Sequence, residues 1–112
     1  MATYDISDKT VSQDARDLFG TLVMIDGSAT WDAASIADGD MEAKDITVTG
    51  AALGDFVLVS PSIDVTDLQL TGTVTATNTV TAVLSNSTGA GVDLASMTVY
   101  ARVLPRANVL TA

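Results

Sequence analysis

Residues 46–60 read ITVTGAALGDFVLVS, two short apolar and β-branched runs on either side of a Gly-Ala-Ala-Leu-Gly-Asp corner. Ile46 to Thr49 and Phe56 to Val59 have the composition of strands, and the glycines between them mark a sharp change of direction. Gly50 and Gly54 are the structural turn residues: each is expected to take positive φ or to let a neighbouring backbone come close. Asp55 is expected to close the turn by accepting hydrogen bonds from nearby amides. Ala51, Ala52 and Leu53 are too apolar for a freely solvated loop, so Leu53 is expected to tuck back into the core. No polar catalytic partner lies near Asp55 in sequence, so a catalytic role is not expected of it.

Outward from the corner, the C-terminal half alternates strictly. In Leu68 to Ala76, Leu68, Leu70, Val74 and Ala76 fall on one face and Gln69, Thr71, Thr73 and Thr75 on the other. Asn78 marks a turn. Thr79 to Ser85 continues with Val80, Ala82 and Leu84 inward, NSTGAG forms a longer turn, and Val92 to Leu104 closes a three-stranded meander with Met97, Val99, Ala101 and Val103 on one face. Asn86-Ser87-Thr88 spells a glycosylation acceptor, but with no secretion signal it reads as a turn. From Leu68 through Val92 no residue is charged. An exposed uncharged sheet invites edge pairing, which monomers block with lysines, prolines or bulges. Either the threonine hydroxyls solvate this face, or Thr71, Thr73 and Thr75 pack on a sister copy or on a larger particle, the reading favoured here.

The N-terminal half is less regular. Residues 1–20 read as an extended arm with isolated apolar anchors at Tyr4, Ile6 and Val11, and residues 21–112 as the folded domain with a short C-terminal tail. Ser12 is a candidate cap for a short helix carrying Leu18, Phe19, Leu22 and Val23, which Gly20 interrupts. The competing reading, preferred here, is a strand from Thr21 to Ile25 ended by the turn dipeptide Asp26-Gly27. Trp31 reads as a lid on the core or as an interface anchor. Asp38, Gly39, Asp40, Glu42 and Asp45 make an acidic turn of the kind that holds a hard cation, but the ordered EF-hand ligand pattern is missing, so a solvated loop with no metal is expected. Arg102 and Arg106 bracket Pro105 and are expected to pair with carboxylates or to pin an acidic neighbour.

The 112 residues amount to one domain, and 47% of them are hydrophobic while only 4% are aromatic, so the core is built from Val, Ala and Leu. Such a core is light, which makes help from neighbouring subunits expected. Fourteen acidic residues against five basic ones, a net charge of −9, argue against nucleic acid as partner. Cysteine and histidine are both absent, which removes disulfides, thiolate and imidazole metal sites, and serine or cysteine hydrolysis in their usual forms. The chain has no long apolar run, and MATYDISDK is acidic where a signal peptide is basic, so neither membrane insertion nor export is expected. Neither an enzyme nor a cofactor is expected.

The order Trp31, Ser35-Ile36-Ala37, an acidic spacer, ITVTGAALGDFVLVSPS, the alternating strand, Asn78-Thr79-Val80, Asn86-Ser87-Thr88-Gly89 and Met97 to Val103 resembles a group of small virion-associated proteins of tailed bacteriophages. The resemblance spans Trp31 to Leu104, is most specific at the GAALGD corner, and implies a β-domain mounted on a phage particle with no catalytic residue. Combined with the acidic, thiol-free composition, it makes a capsid decoration or cement protein the expected function. Such a protein is a small antiparallel β-sandwich, jelly-roll-like or Greek-key, assembled in the host cytoplasm and held on the capsid exterior as a trimer or similar homo-oligomer bound to the major capsid protein. The alternative is a tail-fibre or adhesin-type domain recognising a host surface glycan.

Overall fold

The computed structural model describes residues 24–106, which form six strands and no helix. They are β1 (Ile25–Trp31), β2 (Met41–Thr47), β3 (Phe56–Pro61), β4 (Gln69–Ala76), β5 (Thr79–Ser85) and β6 (Met97–Leu104). Two three-stranded sheets result, ordered β1-β6-β3 and β2-β5-β4, with every pairing antiparallel. They stack in a sandwich-like arrangement, with β1 packed on β2 and β3 packed on β4. The all-β class read from the alternation is therefore what the described residues adopt. The expected arm, with Tyr4, Ile6 and Val11, and the tail beyond Arg106 lie outside the described residues.

Period-two alternation decides which residues fill the space between the sheets. The first sheet turns Trp31, Met97, Val99, Ala101 and Val103 inward, and the second turns in Ile46, Val74, Val80, Ala82 and Leu84. Fully burying a Val or Leu side chain is worth about 1.5–3 kcal/mol, so β5, whose Val80, Ala82 and Leu84 are all inaccessible, is a main stabilising element. Loop residues Ala33, Ile36, Val48, Ala51, Leu68 and Leu94 close the ends of the core.

Most of these side chains are small, so the sheets must come close, and two glycines permit it. A Cβ on Gly27 in β1 would collide with the Thr47 carbonyl oxygen and lie 2.7 Å from Val48 Cγ2. A Cβ on Gly72 in β4 would lie 2.5 Å from Val59 Cγ1. One glycine serves the β1–β2 side of the sandwich and the other the β3–β4 side.

Several sequence expectations are corrected here. Asp26-Gly27 is not a turn: β1 runs through it to Trp31, and Gly27 is glycine because β2 crosses it closely. The acidic segment is only partly a loop, since β2 starts at Met41 and carries Glu42 and Asp45 within a strand. The three-stranded meander does not form. β4 and β5 make a hairpin through Thr77 and Asn78, but β5 pairs on its other side with β2, while the inward residues of β6, as expected, face the core from the opposite sheet. The eleven residues between Ser85 and Met97 leave β5 and cross to the other layer, a step that alternation cannot distinguish from a long hairpin loop.

Gly72→Ala is expected to lower stability by about 1–3 kcal/mol through overpacking against Val59. Thr73→Ala, one residue on and facing outward, is expected to change it by less than about 0.5 kcal/mol. Urea unfolding midpoints of the two variants check this.

Candidate protein-interaction surface

Most of the large exposed apolar side chains gather on the outer face of the β1-β6-β3 sheet, while Met41 and Leu53 lie elsewhere. In register across it, Phe56 lies opposite Leu104, Leu58 opposite Arg102 and Ser60 opposite Tyr100. On the other side of β6, Arg102 faces Asp26 and Tyr100 faces Ser28. Phe56, Leu58 and Tyr100 are 62%, 72% and 51% exposed, and Leu104 and Met24 add to them at the same end. With roughly 200 Å² for a large side chain, the five expose on the order of 500 Å², the scale at which apolar patches on soluble proteins are often functional. A hollow of about 350 Å³ indents this face, lined by Leu58, Ser60 and Tyr100 together with Asp26 and Arg102.

The charges on this face cancel. Arg102 donates from Nε to Asp26 Oδ1 at 2.7 Å and from Nη2 to Asp26 Oδ2 at 3.0 Å, a two-pronged pair. Hydrogen bonding from Arg102 holds the Asp26 carboxyl below its usual range, and the same bonds raise the guanidinium. Both groups are open to water, so the pair orients the two side chains and adds little to stability.

The opposite outer face, on β2-β5-β4, is the threonine surface seen in the sequence. Thr71, Thr73 and Thr75 are exposed along β4. Thr81 Oγ1 donates to Asp45 Oδ1 at 2.7 Å. Having given its one proton there, it accepts from Thr75 Oγ1, also at 2.7 Å. Part of the hydroxyl array is therefore satisfied within the sheet, and Asp45 is the charged residue that β2, β4 and β5 place on this side.

The ends of the sandwich hold the remaining residues singled out in the sequence. At the corner, Gly50 and Gly54 take φ of +98° and +94°. Asp55 accepts from the Ala52 amide through Oδ2 and from the Arg106 amide through Oδ1, both at 2.9 Å. It thus closes the turn and also ties down the end of β6. The corner is further held by Asn78, whose Oδ1 accepts from the Gly50 amide at 2.8 Å. Leu53 corrects the expectation: it is 70% exposed, and Ala51 is the corner residue that enters the core. The corner passes from one sheet to the other, and the small side chain fits where the layers meet. Of the two readings of Trp31, the core one is what the structure shows. It is 5% exposed, a core residue with no surface to offer a partner. Arg106 is exposed, and its described partner is through its backbone.

At the other end, the fully sequestered Asn86 went unread as more than a turn residue. Its Nδ2 donates to the Ile36 and Ala90 carbonyl oxygens at 2.7 and 2.8 Å, and its Oδ1 accepts from the amide and hydroxyl of Thr88. It fastens the β1–β2 connection to the β5–β6 connection, beside a backbone bridge between Ile36 and Val92. Its burial also removes it as a glycosylation acceptor in the folded chain. In the acidic segment, Asp38 Oδ1 accepts from the Gly89 amide at 3.0 Å, and no cluster of acidic side chains among the described residues is spaced to hold a metal ion. No helix among the described residues is long and apolar enough to cross a membrane. No protein-family profile, curated protein or solved structure matches this chain.

Two outcomes follow from this geometry. Asp55→Ala is expected to cost about 1–2 kcal/mol by freeing two amides at once, read as a lowered urea midpoint. The Asp26 carboxyl is expected to titrate below an ordinary aspartate, and in Arg102→Gln to move back up, followed by NMR of the side-chain carboxyl. Because the folded-state pKa is depressed, the stability linked to the pair is present above the unfolded-state value and is lost as pH falls through the folded one.

Proposed function

We propose that this chain is a structural virion protein, a capsid decoration or cement protein that binds the outside of a phage head and holds major capsid protein subunits together. The observation that carries the proposal is the placement of charge. Asp32, Asp38, Asp40, Asp55, Asp64, Asp67 and Asp93 lie in the connections, whereas one outer sheet face carries only a self-cancelling ion pair and the other only Asp45. A molecule with two nearly neutral faces back to back and a charged rim is suited to lie between protein surfaces, which are poor in charge at their centres. The absence of His and Cys, and the lack of a clustered acidic site among the described residues, are in keeping with a mechanical role.

In this reading the threonine face, with Thr71, Thr73 and Thr75, lies on the capsid, Arg106 meets an acidic neighbour beyond the end of β6, and Arg102 stays with Asp26. Copies cluster as trimers or a similar homo-oligomer, are assembled in the host cytoplasm and end on the capsid exterior. Residues 1–20 act as the arm. Each contact is modest alone, and repetition over adjoining capsomers raises the effective concentration of the next. The acidic rim keeps particles apart and gives packaged DNA no purchase. Around the sandwich the strands follow one another as β6, β3, β4, β5 when the packing of β3 on β4 is counted as adjacency, which supports a Greek-key or jelly-roll-like assignment.

One observation favours a second reading, a tail-fibre or adhesin-type domain for a host glycan. The hollow beside Tyr100 offers an aromatic face next to a carboxylate, a guanidinium and Ser60, groups that suit a sugar ring.

Gold-labelled antibody on intact particles carrying this chain is expected to lie over the head, and deletion of residues 1–17 to reduce head loading while the domain still folds. Label confined to the tail, with selective binding on a glycan array, would replace the first reading by the second.

A further inference from the structure

Among the described residues β4 pairs with β5 alone, so one side of its backbone is an open sheet edge. We propose that this edge pairs with β4 of a second copy, antiparallel and about a two-fold axis at Gly72, so that two three-stranded sheets join into one of six strands.

A comparison of the sheet edges is the first ground. Soluble domains guard such edges with charges, prolines or bulges. Here β2 carries Glu42, Lys44 and Asp45, β1 carries Asp26, and β3 ends in Pro61. β4 has neither charge nor proline, and its bulge, between Val74 and Ala76, leaves Gln69 to Val74 in unbroken register with β5. An unguarded edge is best met by another unguarded edge, and among the described residues that is β4 of another copy. The pleat agrees. Pairing about Gly72 sets Thr71 opposite Thr73 and Leu70 opposite Val74, so threonines meet on the outer face and apolar side chains on the inner one.

Charge is the second ground, and it selects antiparallel copies. The β1–β2, β3–β4 and β5–β6 connections share one end of the sandwich and carry Asp32, Asp38, Asp40, Asp64, Asp67 and Asp93 with no basic residue. The opposite end holds the corner and the β4–β5 turn, where Asp55 takes the Arg106 amide and Asn78 is bonded to Ala51. Two molecules of net charge −9 meet most easily where charge is least. Two-fold pairing along β4 lays the acidic end of each copy beside the weakly charged end of the other and brings Asp67 toward a turn of Thr77 and Asn78. Parallel copies would instead gather the aspartates at one end.

The inference stands apart from the capsid role, because the purified full-length chain reports it whatever its place on a particle. Sedimentation equilibrium is expected to give a dimer. As concentration rises through the dissociation range, alternate amides between Leu70 and Val74 are expected to become protected from hydrogen exchange. In a mixture of 13C- and 15N-labelled copies, isotope-filtered NOEs are expected to join β4 to β4. Thr71→Glu with Thr73→Glu sets like charges opposite one another and is expected to weaken association by about tenfold or more, with the circular dichroism spectrum of the domain unchanged. Ser28→Glu with Ser60→Glu adds the same charge at exposed positions on the other sheet and is expected to leave association nearly unchanged.

Three results would overturn it. One is a monomer at every accessible concentration. Another is protection of the β4 edge amides that does not vary with concentration, which would mean that the chain covers its own edge. The third is a dimer broken by the Ser28 and Ser60 changes, or NOEs from β4 to some other element of the second copy, which would place the contact elsewhere.

Discussion

The spacing of the two sheets at Gly27 and Gly72 governs much of what the molecule presents to its surroundings. A core of Val, Ala and Leu with a single Trp is thin, and the layers close over it only because no Cβ stands between β1 and β2 or between β3 and β4. That closeness decides the register of β3. Its sequence, FVLVSP, is apolar on both faces, so hydrophobicity alone does not choose which set goes inward. With Val59 already in contact distance of Gly72, the inner row takes valines, and Phe56 and Leu58 are left outside. Strands apolar on both faces are typical of sheets covered on both sides. The exposed patch is thus a consequence of core geometry.

Strand alternation was the most legible feature of the sequence because it reports a local property, which side of a pleat faces the core. The inward sets on β5 and β6 were read correctly from Val80, Ala82 and Leu84 and from Met97 to Val103. Topology was not legible in the same way. Nothing in the spacing of Ser85 and Met97 shows that β6 belongs to the other layer, since inward residues look alike from either sheet. Asp26-Gly27 misled for a related reason. Glycine marks both a turn and a close approach, and only the position of β2 distinguishes the two. At the corner, the positive φ of Gly50 and Gly54 and the capping role of Asp55 were legible because they depend on residues a few positions apart. The choice of Ala51 over Leu53 for the core depends on how much room the sheets leave.

The candidate interaction surface was half visible. An uncharged run in an acidic chain pointed to the threonine face, and its three outward threonines on β4 are where alternation places them. Most of the larger exposed apolar side chains sit on the other side of the molecule, and no single stretch of sequence announces them. Phe56 and Leu58 come from β3, Tyr100 and Leu104 from β6, and only the pairing of Phe56 with Leu104 and of Ser60 with Tyr100 makes them one surface. Asn86 shows the same limit for polar groups. One of its four hydrogen bonds reaches Ile36, fifty residues away, and in sequence it is one turn asparagine among several.

Charge placement connects fold to use. Acidic residues lie in the connections and leave the flat sides nearly neutral, which in the proposed role favours contact through the faces over tip-to-tip contact. The Asp26–Arg102 pair matters in this setting for its neutrality more than for its strength. An unpaired carboxylate beside Leu58 and Tyr100 would have to lose its water when the patch is covered, whereas a carboxylate already held by two guanidinium hydrogen bonds gives up less. Placing the cancelling charge on the adjacent strand, directly across the β1–β6 register, keeps the face compatible with burial while the chain as a whole stays strongly acidic. In the proposed role, solubility before assembly and adhesion within it draw on different parts of the same surface, the rim for one and the two sheets for the other.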